Sequence, residues 1–217
     1  NIKDMKVRPE SQSEIKHIPK IMPVKDVKNY KITEVPHVLA SLPCNQYLTR
    51  GTCREINPEK NWGAIQAISY CLNGQIDKQP ECAHELMNFL SSYELETLVF
   101  LILTNAGLFV PAWRGGTQMG FDLIAYNFTP SAIKKLQIPD ESGDRSKSSL
   151  TFQIKKGKVK RRSEFADFTI ATEYDGDDNR ILNADWLLKC IREQSGTRDW
   201  FVNLLNWVPG ILSFFDR

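Results

Sequence analysis

Apolar positions along the chain follow helical spacing up to Asn105 and become β-rich from Leu108, with a change of texture at Ser91. Upstream, Trp62, Ile65, Ile68 and Cys71 or Leu72 recur every three or four residues. This predicts a helix of about three turns with one apolar face, ended by Asn73-Gly74. A second short helix is predicted from about Glu81 to Leu90. Downstream, Ser91-Ser92-Tyr-Glu-Leu-Glu96 offers an N-cap with acids in the first turn. Leu95, Leu98, Val99, Ile102 and Leu103 then mark one face until Asn105-Ala-Gly107 stops the helix. β-rich runs follow: Leu108 to Trp113, Phe121 to Tyr126, Leu150 to Ile154 and Phe168 to Thr172. Thr129 to Leu136 is a short helical stretch in the long interval between the second and third. Helices from Ala184 to Arg192, capped by Asn183, and from Arg198 to Trp207, halted by Pro209-Gly210, complete the pattern.

Residues 1–36 are rich in Lys, Glu, Asp and Pro and read as an extended or poorly ordered arm. Residues 37–90 read as a helical N-terminal segment, and residues 91–217 as an α/β domain with a mixed central sheet flanked by helices. The stretch Cys44 to Glu55, carrying Asn45, Gln46, Arg50 and Arg54 around Tyr47, reads as a polar loop, with a DNA- or partner-contacting turn as the alternative.

Composition narrows the function classes only a little. A net charge of +2 names no partner by itself, so the placement of charge matters more than its total. The longest apolar run, Leu98 to Leu103, is too short to span a bilayer, and no basic-then-apolar leader follows Asn1. Five cysteines, at 44, 53, 71, 82 and 190, form no CxxC pair, and His84 after Cys82 does not complete a zinc spacing. Such usage suggests a reduced, cytoplasmic protein whose cysteines pack as small hydrophobes, a structural zinc being the alternative. No GxSxG, HExxH or phosphate-binding P-loop occurs, and His17, His37 and His84 lie away from the well-patterned half, which disfavours histidine acid–base chemistry. Trp113, Trp186, Trp200 and Trp207 read as core or rim aromatics.

The chemistry-bearing residues lie elsewhere. In a strand, residues i and i+2 share a face, so Gln153 and Lys155 point one way while Phe152 and Ile154 enter the opposite layer. A lysine and an amide on such a strand need a partner, and an aspartate from the neighbouring strand, Asp122, is the natural one. Glu96 adds an acid from the long helix.

The segments Tyr93-Glu-Leu-Glu96, Asn105-Ala-Gly107-Leu-Phe-Val, Gly120-Phe-Asp122-Leu-Ile-Ala and Phe152-Gln153-Ile-Lys155, in this order, resemble the restriction-endonuclease-like core of the PD-(D/E)xK nucleases. They are most similar to the Mrr-like branch, in which Gln replaces the acid of the last triplet. The resemblance spans about Ser91 to Thr172. It implies an Mg²⁺-dependent DNA endonuclease, with Mn²⁺ as a substitute, in restriction or defence against foreign DNA. It also implies that Asp122 ligates the cation, that Gln153 and the carbonyl of Ile154 complete its shell, and that Glu96 reaches it through water. Lys155 would orient the attacking water or stabilise the transition state. The interval from Asp122 to Gln153 exceeds the family's usual hairpin. Pro139-Asp140 imitates the family's literal Pro-Asp, but Asp122 is preferred because Leu123-Ile-Ala-Tyr126 continues as a strand. Two further readings stay open: a nucleic-acid-binding or assembly module that kept the fold without catalysis, and a domain in which Glu96, Asp122 and Lys155 form only a buried ion-pair network. The chain could also act as a homodimer or within a larger assembly.

After the triplet, six of the eight residues Lys155 to Arg162 are basic. Beside a phosphodiester site, Lys156, Lys158, Lys160, Arg161 and Arg162 become candidate phosphate contacts. Asp175-Gly-Asp-Asp178 reads as a turn.

Overall fold

Local signals set most helix ends. The computed structural model describes residues 31–40, 61–111, 120–126, 129–139 and 149–215. After a short 3₁₀ turn, Ile32–Glu34, come α1 (His37–Ala40), α2 (Trp62–Asn73), α3 (Ala83–Met87) and α4 (Ser92–Asn105). Helix α2 ends where Gly74 enters the left-handed region at φ 75° and donates its N–H to Tyr70 O. Helix α4 begins with a capping box: Ser91 Oγ accepts from Glu94 N at 3.2 Å, and the Glu94 carboxylate accepts from Ser91 N at 2.6 Å. Leu95, Leu98, Val99, Ile102 and Leu103 are fully buried, as the periodicity requires. Helix α3 is shorter than the Glu81 to Leu90 expectation. Cys82 is an extended N-cap, and beyond Met87 the N–H groups of Phe89 and Leu90 turn back to carbonyls three residues earlier.

The remaining elements are β1 (Leu123–Tyr126), α5 (Pro130–Leu136), β2 (Ser149–Lys158), β3 (Phe168–Glu173), β4 (Ile181–Leu182), α6 (Ala184–Glu193), α7 (Ser195–Leu204) and a 3₁₀ turn, Ile211–Phe214. The four strands form one mixed sheet in the order β1-β2-β3-β4, with β1 antiparallel to β2 and the other pairs parallel. Strand β2 outruns its predicted end at Ile154 because the basic run continues the ladder to Lys158. Of the strand expected at Leu108 to Trp113, Phe109 makes one antiparallel bridge to Tyr126, and residues 112–119 lie outside the described set. Strand β4 is too short for any period to reveal it. The polar stretch Cys44 to Glu55, Trp113 and Asp140 also fall outside the described residues.

Helices α3, α4 and α6 pack on one face of the sheet, where Phe152, Ile154, Phe168 and Ile170 are buried and the Phe152 and Phe168 rings stack at 5.7 Å. Trp186 donates its indole N–H to Leu136 O at 2.7 Å, which ties α6 to α5. Residues 31–217 are one compact unit, and Val38, Ala64, Ala67, Leu86 and Phe89 from the N-terminal helices share its core with α4 and the sheet. Phe89 meets Trp62 and Trp207 edge-on, which joins these helices to the end of the chain. Among the described residues no helix is long and apolar enough to cross a membrane.

Candidate functional site

Register decides which side chains share the second face of the sheet. Leu123 pairs with Phe152 at the end of the β1–β2 ladder, and Asp122 lies one residue before β1. The burial of β2 alternates: Phe152 and Ile154 enter the helix layer, while Gln153 is half-buried and Lys155 exposed on the other side. Asp122 ends the ladder with its own side chain. Its N–H donates to Phe152 O at 2.8 Å, and its Oδ2 accepts the N–H of Ile154 at 2.6 Å. Its second carboxylate oxygen has no hydrogen-bond partner among the described residues. A strand residue presents its N–H and C=O to the same neighbour, so the Ile154 carbonyl faces the Asp122 edge too. Lys155 makes no ion pair among the described residues. Gln153 and Lys155 therefore share one face, as strand alternation anticipates, and the Asp122 carboxylate meets the backbone between them at Ile154.

Glu96 belongs to a different layer. It is half-buried on α4, which packs through its apolar stripe against the Phe152 and Ile154 side of β2. Lys156 lies within the electrostatic reach of Glu94. Lys156 Nζ donates to the carbonyls of Asn88, at 3.1 Å, and Leu90, the turns between α3 and α4. Burial pushes its ammonium down to about 8, and the nearby Glu94 carboxylate pulls the other way. Glu94 is itself buried, caps α4 and contacts His37 Nδ1. Lys156 is thus turned away from the surface where a phosphate contact would need it. Its parity with Phe152 and Ile154 signalled this in the sequence, but the cations on either side masked it.

The rest of the basic run leads into the β2–β3 connection, residues 159–167, which contains no helix or strand. Lys158 is exposed and paired with Asp175 at 2.6 Å, within the turn expected at Asp175 to Asp178. This contact raises the Lys158 pKa and lowers that of Asp175. Lys160 and Arg161 are exposed, Arg161 lying 4.0 Å from Glu164, and Arg162 is half-buried. Ser163 N donates to Thr169 Oγ1 at 2.9 Å, and Ser163 Oγ donates to Gly120 O at 3.4 Å. Thr169 is the register partner of Gln153. Farther along, Asp167 accepts both the N–H and the hydroxyl of Thr151. The connection therefore crosses the same face as Gln153 and anchors beside the approach to Asp122.

A different donor set forms at the start of α3, where ligand atoms of Cys82, His84 and Glu85 lie within 4.8 Å of one another. Cys82 Sγ is 3.1 Å from His84 Nδ1. The helix turn assembles what linear spacing did not suggest. Glu85 is already engaged, accepting from Lys78 Nζ at 2.8 Å and from Glu81 N at 2.7 Å. Sulfur and imidazole suit zinc rather than magnesium. Magnesium calls for the hard oxygens of Asp122, Gln153 and Ile154.

Comparison of the chain with models of known protein families, with curated proteins and with solved structures finds no match.

Proposed function

We propose that the second face of the sheet is a phosphodiester-hydrolysing site acting on DNA with a divalent cation, Mg²⁺ or Mn²⁺, in defence against foreign DNA. The observation that supports this proposal is the hydrogen bond from Ile154 N–H to the Asp122 carboxylate, at the residue between Gln153 and Lys155, which share one face of β2. The donors fit a hard cation: one carboxylate oxygen left over from the Ile154 N–H, an amide oxygen and a main-chain carbonyl. Such a cation, when bound, lowers the pKa of water and offsets charge on phosphoryl oxygens. The Ile154 N–H fixes the Asp122 carboxylate in one orientation. Lys155, exposed beside it, neutralises charge developing on the phosphoryl group. Lys160, Arg161 and Arg162 hold the phosphate backbone along the β2–β3 connection.

Plasmid DNA incubated with Mg²⁺, with Mn²⁺ and with chelator tests the proposal. Metal-dependent cleavage should fall by about a hundredfold or more in Asp122→Asn and Lys155→Ala. Cleavage undiminished in both variants refutes the assignment. One observation favours a second reading, a DNA-binding module without catalysis: the Asp122 carboxylate is already half-committed to Ile154 N–H. Salt-sensitive DNA binding with no metal-dependent cutting by the wild-type chain would select that reading.

A further inference from the structure

The β2–β3 connection presents an aromatic ring as well as cations. Phe165 is 72% exposed, more than any other large hydrophobic among the described residues. A scattered surface apolar residue needs no explanation, but Phe165 differs in how it is held. Its N–H donates to Ser163 Oγ at 3.3 Å, and Ser163 is itself fastened to Thr169 and Gly120. Its root rests on Gly120, where an added Cβ would stand 2.3 Å from Phe165 Cβ and 2.8 Å from Cγ. Gly120 also has φ 108°, a conformation that glycine adopts without strain. The backbone leading to Asp122 thus leaves room for the base of this side chain, while most of the ring stays in water. Lys160, Arg161 and Arg162 lie three to five residues before it, and Lys155 stands on the same face of the sheet.

The geometry points to Phe165 as a stacking platform for an unpaired DNA base next to the Asp122 site, an inference that rests on the proposed DNA-cleaving function. A phenyl ring has no donor or acceptor with which to read a base edge. Its face, however, stacks on any base, and cations beside an aromatic are the combination that holds single strands without sequence preference. Within a duplex both faces of a base are already covered by its neighbours. Only a single strand, or a base extruded from the helix, offers a free face to Phe165. The substrate class is therefore DNA with an unpaired nucleotide at the cleavage site, held by charge along the connection and positioned by stacking.

The test is fluorescence anisotropy with the full chain and three labelled probes of roughly 15 nucleotides: oligothymidylate, an abasic strand of equal charge, and a duplex. Wild type should bind oligothymidylate more tightly than the abasic strand. Phe165→Ala should weaken oligothymidylate binding by about fivefold to a hundredfold, to the abasic level, leaving duplex affinity and the salt slope unchanged. Phe165→Trp should retain the preference, with its fluorescence quenched by the base. Arg161→Ala should weaken all three probes and flatten the salt slope. Because Phe165 is exposed, the alanine variant should keep the wild-type circular dichroism. Oligothymidylate binding unaffected by Phe165→Ala, or equal losses on all three probes, overturns the inference. If Asp122→Asn still abolishes metal-dependent cleavage in that case, the proposed function stands alone. Wild type binding none of the probes overturns both.

Discussion

Replacing Lys156 by Met removes a buried ammonium while keeping most of its apolar stem. The ammonium sits against the carbonyls of Asn88 and Leu90 with its acidity raised to about 8 from the ordinary 10.5. Between those two values the unfolded chain binds more protons at this lysine than the folded chain does. Folding stability therefore rises with pH across the window and is reduced at pH values below about 8. The shift corresponds to about 3 kcal/mol. Lys156→Met cannot gain this increment, so its stability relative to wild type should fall by about 3 kcal/mol from pH 7.5 to 10.5. Cys190, whose thiol burial pushes up to about 12, acts in the opposite direction, because the folded chain then holds the extra proton. It is present in both proteins and cancels in the difference. Urea denaturation followed by tryptophan fluorescence at several pH values measures that difference. Parallel curves for the two proteins across the window would refute the buried placement of the Lys156 ammonium.

Two further outcomes test other parts of the fold. Gly63→Ala should destabilise by about 3 kcal/mol, because a Cβ there would lie 2.1 Å from Asn88 O and 2.7 Å from Phe89 Cα, backbone atoms with little room to yield; a wild-type urea midpoint would contradict the close approach of α2 to the end of α3. In maleimide labelling mapped by mass spectrometry, partly exposed Cys82 should react in the native protein, whereas Cys190, buried and held as the thiol, should react only after unfolding; native labelling of Cys190 would contradict its place in the core.

Short-range chemistry made much of this protein legible from its residues. Ser91 and Glu94 satisfy each other's backbone N–H groups within one turn, and Asn183 caps α6 by accepting from Trp186 N, so both helix starts are written in adjacent residues. The period of α4 and the alternation of β2 likewise depend only on helix and strand geometry, which is why the shared face of Gln153 and Lys155 could be anticipated. Other features needed partners distant in the chain. Asp122 meets Ile154 only once the β1–β2 register is set, and Lys156 turns inward only because the α3–α4 turns present it with carbonyls. Glu94, two residues before Glu96 on α4, is the buried acid whose charge acts on Lys156. Ser91 is a helix cap, and Phe89 before it packs between Trp62 and Trp207, contacts that link residues far apart in the chain. Propensity and period act over a few residues, so they were visible in the linear order. Register, burial of a charge and the seating of Phe165 on Gly120 depend on which distant segments pack together, and only the tertiary structure decided them.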